Sequence, residues 1–253
     1  MDLSLDKMKN IIDHSSVNIV YLSGGEPFMH PNIKDIISYL TNAGIKVNIA
    51  TNGQLLNEEM CCFLNHKNIS LLISLREQHE KTFQIIKMLE SYQIQVVCYH
   101  IPTERSSILI PKLVVECPSV KKIKLLYDSR YPKTSFEWFS ILNRIYNNIK
   151  NYIDDIVIEV EIAFLPKTNI IAKGERRGAF DRIQVSTEGL LYYCPLLVCN
   201  KKGVKRLPVP KCVPEICPIL SKHLDDDNYA SVCCFLVSSL ENAIKIGKSR
   251  GAI

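Results

Sequence analysis

The feature that most constrains the fold is a regular alternation of short apolar segments with segments whose apolar residues fall at helical spacing. Strands are predicted at residues 17–22, 47–50, 70–74, 94–98, 122–126 and 156–162. Helices are predicted around residues 31–40, 56–64, 81–89, 109–115 and 136–149. Successive strands separated by helices pair in parallel through right-handed crossovers. The sequence therefore predicts an α/β fold, a curved and partial βα barrel.

Two consequences follow from a parallel sheet of this kind. Residues 69–73 form a nearly continuous apolar run, which is typical of a strand buried on both faces of a sheet. In such folds ligands bind where the strands end at their carboxyl edge. Residues 23–27, residues 51–53 and Ser74 each follow a predicted strand, so we expect three loops to converge on one mouth.

The alternation stops after about Pro166, which predicts a domain boundary. Residues 1–166 form the predicted barrel, and residues 167–253 form a smaller extension that is rich in cysteine and poor in regular pattern. The segment 173–178 between them is polar, as a linker would be. The extension therefore needs another source of order, such as a metal.

Composition excludes several classes of protein. The 253 residues are 47% hydrophobic, which is enough for one substantial core and excludes intrinsic disorder. The net charge of +5 is spread along the chain, and its only basic run, 201–206, is too short to favour nucleic-acid binding. There is no apolar run of ~18 residues and no signal-peptide pattern, so we expect a cytoplasmic protein without membrane contact.

The segment Ser23-Gly24-Gly25-Glu26-Pro27 offers ligand chemistry at the end of the first strand. Two glycines allow a ligand to approach the backbone closely, and the Glu26 carboxylate suits an ammonium group. The alternative is a turn that merely ends the strand.

Residues 17–53 resemble the second and third βα units of the radical S-adenosylmethionine (radical SAM) family, because a GGEP motif, a helix led by Pro31 and a TNG motif occur in the family's order. The resemblance implies that the GGEP motif holds the methionyl amino group of S-adenosylmethionine, and that Ser74 reaches its ribose or carboxylate end. Arg76 and Phe83 depart from the family pattern, which often has Asp and Arg there. The cofactor-binding residues implied by the resemblance are Gly24, Gly25, Glu26, Pro27, Asn52 and Ser74.

The family's redox cluster is bound by a Cys-x3-Cys-x2-Cys motif after the first strand of its barrel. No cysteine precedes Cys61 in this sequence, and the segment 1–8 resembles the part of the family that follows the cysteine loop. We therefore expect a barrel of the radical SAM type that lacks its first strand and the ligands that would bind a [4Fe-4S] cluster. Cys61 and Cys62 do not replace them, because neighbours on a helix point about 100° apart. Cys61 and Cys62 are expected to be core or incidental cysteines, and Cys98 is expected to be a packing residue.

Several of the ten cysteines lie between residues 194 and 234, which points to metal binding in a reducing compartment. The spacing from Gly189 to Cys194 resembles that of the SPASM and twitch extensions of peptide-modifying radical SAM enzymes, which bind auxiliary clusters. We predict one four-thiolate site, holding an auxiliary [4Fe-4S] cluster or, alternatively, zinc. Scattered free thiols are the other interpretation. The predicted ligands are Cys194, Cys212, Cys217 and Cys233, with Cys234 or Cys199 as alternatives for the fourth.

The resemblance implies a function with two alternatives. It implies an iron–sulfur protein that uses S-adenosylmethionine and an electron donor to make a 5′-deoxyadenosyl radical, which abstracts hydrogen from a peptide or protein. The alternatives are a non-catalytic binding module on the same barrel and a zinc-stapled scaffold. Because the first predicted strand lies at a sheet edge, we also expect limited stability or self-association.

Overall fold

The computed structural model describes residues 3–15, 17–65, 68–75, 80–126, 135–152, 155–162, 184–185, 191–192, 236–249 and 251. The chain divides into two compact units, which we describe separately. One unit comprises Ser15–Val160 and Ser239–Ile253, and the other comprises Met1–His14 and Glu161–Ser238. The boundary predicted between residues 166 and 167 stays a prediction.

The main sheet has seven strands, of which the first six lie in chain order, and every neighbouring pair among these six is parallel. This confirms the predicted α/β fold and all six predicted strands, with ends that shift by at most two residues. The strands are β1 (Ile19–Leu22), β2 (Lys46–Thr51), β3 (Ile69–Ser74), β4 (Gln95–His100), β5 (Lys122–Leu125) and β6 (Val157–Ile162).

A helix connects each strand to the next, as predicted. Their apolar stripes are buried, as Ile37 and Leu40 of the first connecting helix show with no exposed surface. Short 3₁₀ turns lie at Pro27–Met29 and Lys150–Tyr152. The connecting helices are α2 (Ile33–Asn42), α3 (Glu58–Leu64), α4 (Glu80–Ser91), α5 (Ser106–Glu116) and α6 (Ser135–Ile149).

The two faces of the sheet differ in burial. On the covered face, Ile49, Leu71, Ile73 and Ile123 are fully buried. On the opposite face, which we call the partly open face, burial decreases from β3 toward β6. The expectation of burial on both faces holds for β3 and is wrong for β4, β5 and β6, whose residues alternate between buried and more exposed. This difference is visible in the sequence of β5, where charged and apolar residues alternate in Lys122-Ile123-Lys124-Leu125.

Helix α7 (Leu240–Ser249) also belongs to the sheet unit, where it packs against α6. Its buried residues are Leu240, Ala243, Ile244 and Gly247, which follow the i, i+3, i+4, i+7 pattern of an amphipathic helix. The sequence analysis predicted no helix in residues 167–253, and it therefore missed this one.

The other unit contains helix α1 (Leu5–Asp13) and the antiparallel pair β7 (Gln184–Val185) and β8 (Leu191–Tyr192). The Ser4 side chain caps α1 by accepting a hydrogen bond from the Lys7 backbone. Strand β9 (Leu236–Ser239) crosses from this unit into the sheet unit. Among the described helices, none is long and apolar enough to span a membrane.

Candidate functional site

The loop after β1 presents two exposed glycines at the carboxyl end of the sheet. Gly24 has φ +133°, a conformation that L side chains rarely adopt, and it therefore requires glycine. Gly25 has no such requirement, and a Cβ atom added at either glycine meets nothing within 4 Å. In the described part of the chain, no hydrogen bond joins either glycine to another residue. The loop therefore offers bare backbone and open space to a ligand.

Glu26 fixes the shape of this loop. Its Oε1 atom accepts hydrogen bonds from Thr51 Oγ1 at 2.6 Å and from the Phe28 backbone N–H at 3.4 Å. Its Oε2 atom accepts from the Asn52 backbone N–H at 2.9 Å. The half-buried carboxylate therefore ties the loop after β1 to the loop after β2, 25 residues later in the chain. Three donors thus bind the two carboxylate oxygens, and the bare backbone at Gly24 and Gly25 adds further acceptors beside them.

The turn after β2 is held by its own side chains. Thr51 Oγ1 accepts from the Gly53 N–H at 3.0 Å, and Asn52 Oδ1 accepts from the Gln54 N–H at 2.8 Å. Gly53 has φ +77°, and a Cβ atom there would lie 3.2 Å from Ile85 of α4. A glycine is therefore required for both conformation and packing, and this explains the third residue of the TNG motif.

A row of polar residues crosses the carboxyl end of the partly open face. Ser74 pairs in register with Tyr99, Tyr99 with Lys124, and Lys124 with Glu159. The Lys124 Nζ atom lies 5.7 Å from the centre of the Tyr99 ring, and Glu159 accepts from Lys122 Nζ at 2.7 Å. Asn52 follows Thr51, the partner of Ile73, and so stands level with Ser74.

The described residues bring the predicted ligand residues of three strands to one edge of the sheet. Gly24, Gly25, Glu26 and Pro27 follow β1, Asn52 follows β2, and Ser74 ends β3. Sequence reasoning missed Thr51 as the partner of Glu26, and it missed the Tyr99 and Lys124 positions; the alternation of polar and apolar residues in β4 and β5 was the available signal.

The predicted metal ligands Cys194, Cys212, Cys217 and Cys233 lie outside the described residues, as do the alternatives Cys199 and Cys234. Among the residues that are described, no group of three or more His, Cys, Asp or Glu side chains could hold a metal ion.

The four described cysteines do not fit an iron–sulfur cluster. The side chains of Cys61, Cys98 and Cys117 have no exposed surface, and Cys62 is exposed on α3. Burial raises the pKa of the Cys61 and Cys117 thiols, and it raises the pKa of the Cys98 thiol to about 12. Because no described cysteine belongs to a group of three or more side chains that could hold a metal ion, the buried Cys61, Cys98 and Cys117 are packing residues, as expected for Cys61 and Cys98.

The fold and loops define an α/β protein of partial-barrel architecture with a glycine-rich ligand loop at the carboxyl end of its sheet. Residues 1–88 match the family model of the Radical SAM superfamily. This confirms the resemblance read from the GGEP and TNG motifs.

Solved structures share this fold. SuiB of Streptococcus suis bound to S-adenosylmethionine superposes with a TM-score of 0.62 at 17% identity, covering 90% of this chain and 60% of SuiB. The structure of anSMEcpe with bound AdoMet and the Kp18Cys peptide gives a TM-score of 0.59 at 14% identity, covering 89% of this chain and 72% of that protein.

Two curated relatives match short segments. An AdoMet-dependent heme synthase of Methanosarcina barkeri is 44% identical over 62 residues, which is 23% of this chain and 18% of that protein. An S-adenosylmethionine-dependent nucleotide dehydratase of Selenomonas ruminantium is 37% identical over 59 residues, which is 22% of either chain. The matched segments thus span less than a quarter of the length of these relatives.

Proposed function

We propose that this chain binds S-adenosylmethionine at the carboxyl ends of β1, β2 and β3. The observation that carries the proposal is the open backbone of Gly24 and Gly25, held in place by the Glu26 carboxylate. A loop that is fixed before the ligand arrives loses little conformational freedom on binding. Both curated relatives are S-adenosylmethionine-dependent by name, which supports this ligand.

Each loop has a separate role in this proposal. Backbone acceptors at Gly24 and Gly25 receive the ligand's ammonium group, and Pro27 starts the 3₁₀ turn that ends the loop. Asn52 and Ser74 border the same site from β2 and β3, where Ser74 reaches the ribose or carboxylate end.

We further propose a peptide or protein as the substrate. SuiB has been solved bound to its precursor peptide SuiA, and anSMEcpe has been solved with the Kp18Cys peptide, and both share this fold. The reaction class implied by the resemblance is hydrogen abstraction by a 5′-deoxyadenosyl radical, which requires a cluster and an electron donor. We assign no residue to that step, because the described cysteines do not fit a cluster.

A graded pair of substitutions at Gly25 tests ligand binding. Gly25→Ala and Gly25→Val place side-chain atoms in space that no protein atom occupies, so thermal stability is expected to be unchanged. By titration calorimetry, affinity for S-adenosylmethionine is expected to fall at alanine and to fall at least tenfold at valine, because the added methyl groups take the ligand's space. Glu59→Gln, at an exposed site on α3, is the matched control. Equal affinity in all four proteins would overturn the proposal.

Anaerobic reconstitution with iron and sulfide tests the proposed extension. We propose a SPASM- or twitch-like extension with a four-thiolate site at Cys194, Cys212, Cys217 and Cys233. Iron and sulfide are expected to be bound by the unmodified chain and lost from a Cys212→Ala, Cys217→Ala variant. Release of 5′-deoxyadenosine would be measured in the same samples. Bound zinc without iron would instead favour the zinc-stapled scaffold, and equal iron in both proteins would refute these ligands.

A non-catalytic binding module is the second candidate, and it is favoured because no group of three or more His, Cys, Asp or Glu side chains in the described part of the chain could hold a metal ion. In that case S-adenosylmethionine binds, yet reconstituted protein with dithionite as the electron donor releases no 5′-deoxyadenosine.

A further inference from the structure

A buried histidine joins the ends of β3 and β4 at the ligand edge of the sheet. His100 is the last residue of β4, and only 3% of its surface is exposed. Its Nδ1 atom lies 2.8 Å from the Leu75 carbonyl oxygen, and its Nε2 atom lies 2.6 Å from Ser106 Oγ at the start of α5. Both ring nitrogens are therefore engaged with other elements of the fold.

These contacts specify that one ring nitrogen, Nδ1, carries a proton. A carbonyl oxygen only accepts, so Nδ1 carries the proton and donates it to Leu75. In the neutral ring Nε2 is then an acceptor, and the Ser106 hydroxyl donates to it. The Ser106 oxygen in turn accepts from the Thr103 backbone N–H at 2.7 Å. The network therefore requires a proton on Nδ1, whereas the Ser106 hydroxyl, which also lies 3.5 Å from Thr103 Oγ1, can either donate to Nε2 or accept from it.

The network fixes the residue that follows Ser74. The Leu75 N–H donates to the Tyr99 carbonyl at 2.8 Å, and the Leu75 carbonyl accepts from His100. Both backbone groups of Leu75 are thus bound, and Ser74, directly before it, is the candidate ligand residue of β3. We propose that His100 is a positioning residue that holds the end of β3, and with it Ser74, in the geometry that binds the ligand. This inference rests on the proposed function.

Two other roles do not fit the geometry. A serine beside a histidine can act as a nucleophile, but Ser106 has no exposed surface and its hydroxyl is occupied on both sides. A role that merely links β3 to β4 is not a sufficient explanation of His100 either. The Ser70 hydroxyl already donates a hydrogen bond to Gln95 Oε1, at 2.6 Å, at the opposite ends of these strands. That second link makes a matched control on the same two strands.

The first test is the tautomer, measured in the unmodified protein. Two-bond ¹H–¹⁵N correlation spectra distinguish the two neutral forms of histidine, and His100 is assigned by its loss in His100→Asn. We expect the Nδ1–H form for His100 at neutral pH. A neutral ring with its proton on Nε2 would contradict the network and the proposal.

The second test is ligand affinity with a rescue. His100→Ala is expected to weaken S-adenosylmethionine binding roughly fivefold, as the loss of one buried hydrogen bond predicts. His100→Asn, which retains a donor near the Nδ1 position, is expected to recover most of the affinity, and Ser70→Ala is expected to bind as the unmodified chain does. An equal loss in Ser70→Ala and His100→Ala would show a merely structural role.

Amide exchange at Leu75 separates failure of this inference from failure of the proposed function. Exchange is expected to accelerate in His100→Ala and Ser106→Ala and not in Ser70→Ala. If the unmodified chain binds no S-adenosylmethionine, the proposed function fails, and unchanged Leu75 exchange in the His100 variants would still overturn the positioning role.

Discussion

At the scale of the single residue, Glu26 shows how a motif residue can act through the fold. Its carboxylate accepts hydrogen bonds from Thr51 and from the Asn52 backbone, so one contribution to a ligand is the shape of the loop that it holds. The sequence suggested a direct contact with an ammonium group. The structure offers backbone at Gly24 and Gly25 for that contact, and the direct role of Glu26 stays a prediction.

Replacing this carboxylate by an amide tests the link. In Glu26→Gln the side-chain NH₂ group can face the Asn52 N–H, which leaves that donor unsatisfied. We expect a loss of about 1–3 kcal/mol in the free energy of unfolding, measured by urea denaturation. Glu59→Gln, which breaks an exposed ion pair with Lys34, is the control and is expected to change stability far less. Equal stability of Glu26→Gln and the unmodified chain would refute the link.

Cys98 gives a pH-dependent prediction. Burial raises its folded-state pKa to about 12, from an ordinary value of 9.0. Below pH 9 the thiol is neutral in both states. As pH rises from 9 toward 12, only the unfolded chain ionises, so this residue removes stability at up to about 1.4 kcal/mol per pH unit. Urea denaturation between pH 8 and 10.5 is expected to show a shallower decline in Cys98→Ala. Parallel declines would contradict the assignment.

At the scale of the secondary-structure element, helix α5 contains an internal proline whose effect is compensated by a neighbour. Pro111 lacks an N–H group, so the carbonyl of Ser107, four residues earlier, loses its helical partner. Asn148 of α6 donates its side-chain NH₂ to that carbonyl at 2.7 Å. The two helices, which pack against each other, thus share a hydrogen bond that neither could make alone.

A double-mutant cycle measures this compensation. Asn148→Ala is expected to destabilise the chain by about 0.5–1.5 kcal/mol, because the Ser107 carbonyl loses its donor. In a Pro111→Ala background the helix supplies its own N–H, so the same Asn148 change is expected to have a smaller effect. Additive effects in urea denaturation would show that Asn148 does not act through the proline site.

Elements were predictable from the sequence to different degrees. The six strands and five connecting helices follow from local periodicity, because residues 17–162 alternate between two clear patterns. Pairings between distant residues were not predictable in this way: Glu26 meets Thr51, and His100 meets Leu75, only because the strands align in a particular register. Helix α7 has the apolar spacing of an amphipathic helix, but it follows a segment rich in cysteine and proline and was not predicted.

At the scale of the whole molecule, the site belongs to no single element. Three successive strands deliver their loops to one edge, and a fourth strand fixes the end of the third through His100. Motif spacing could predict which loops converge, because parallel strands share a carboxyl edge. It could not predict that the Glu26 carboxylate would hold the loops through hydrogen bonds, or that the Gly24 and Gly25 backbone would remain accessible to a ligand.

The edge of the sheet gives the last prediction. Strand β1 stands at the end of the strand order, and its residues Ile19 and Tyr21 are 45% and 44% exposed. Edge strands that carry exposed apolar side chains tend to pair with other chains. We expect the weight-average mass in sedimentation equilibrium to rise with protein concentration. Ile19→Lys is expected to reduce this rise, because a charged side chain disfavours edge pairing, whereas Val157→Lys, at an exposed apolar position on β6, serves as the control. A constant monomer mass at all concentrations would contradict the prediction.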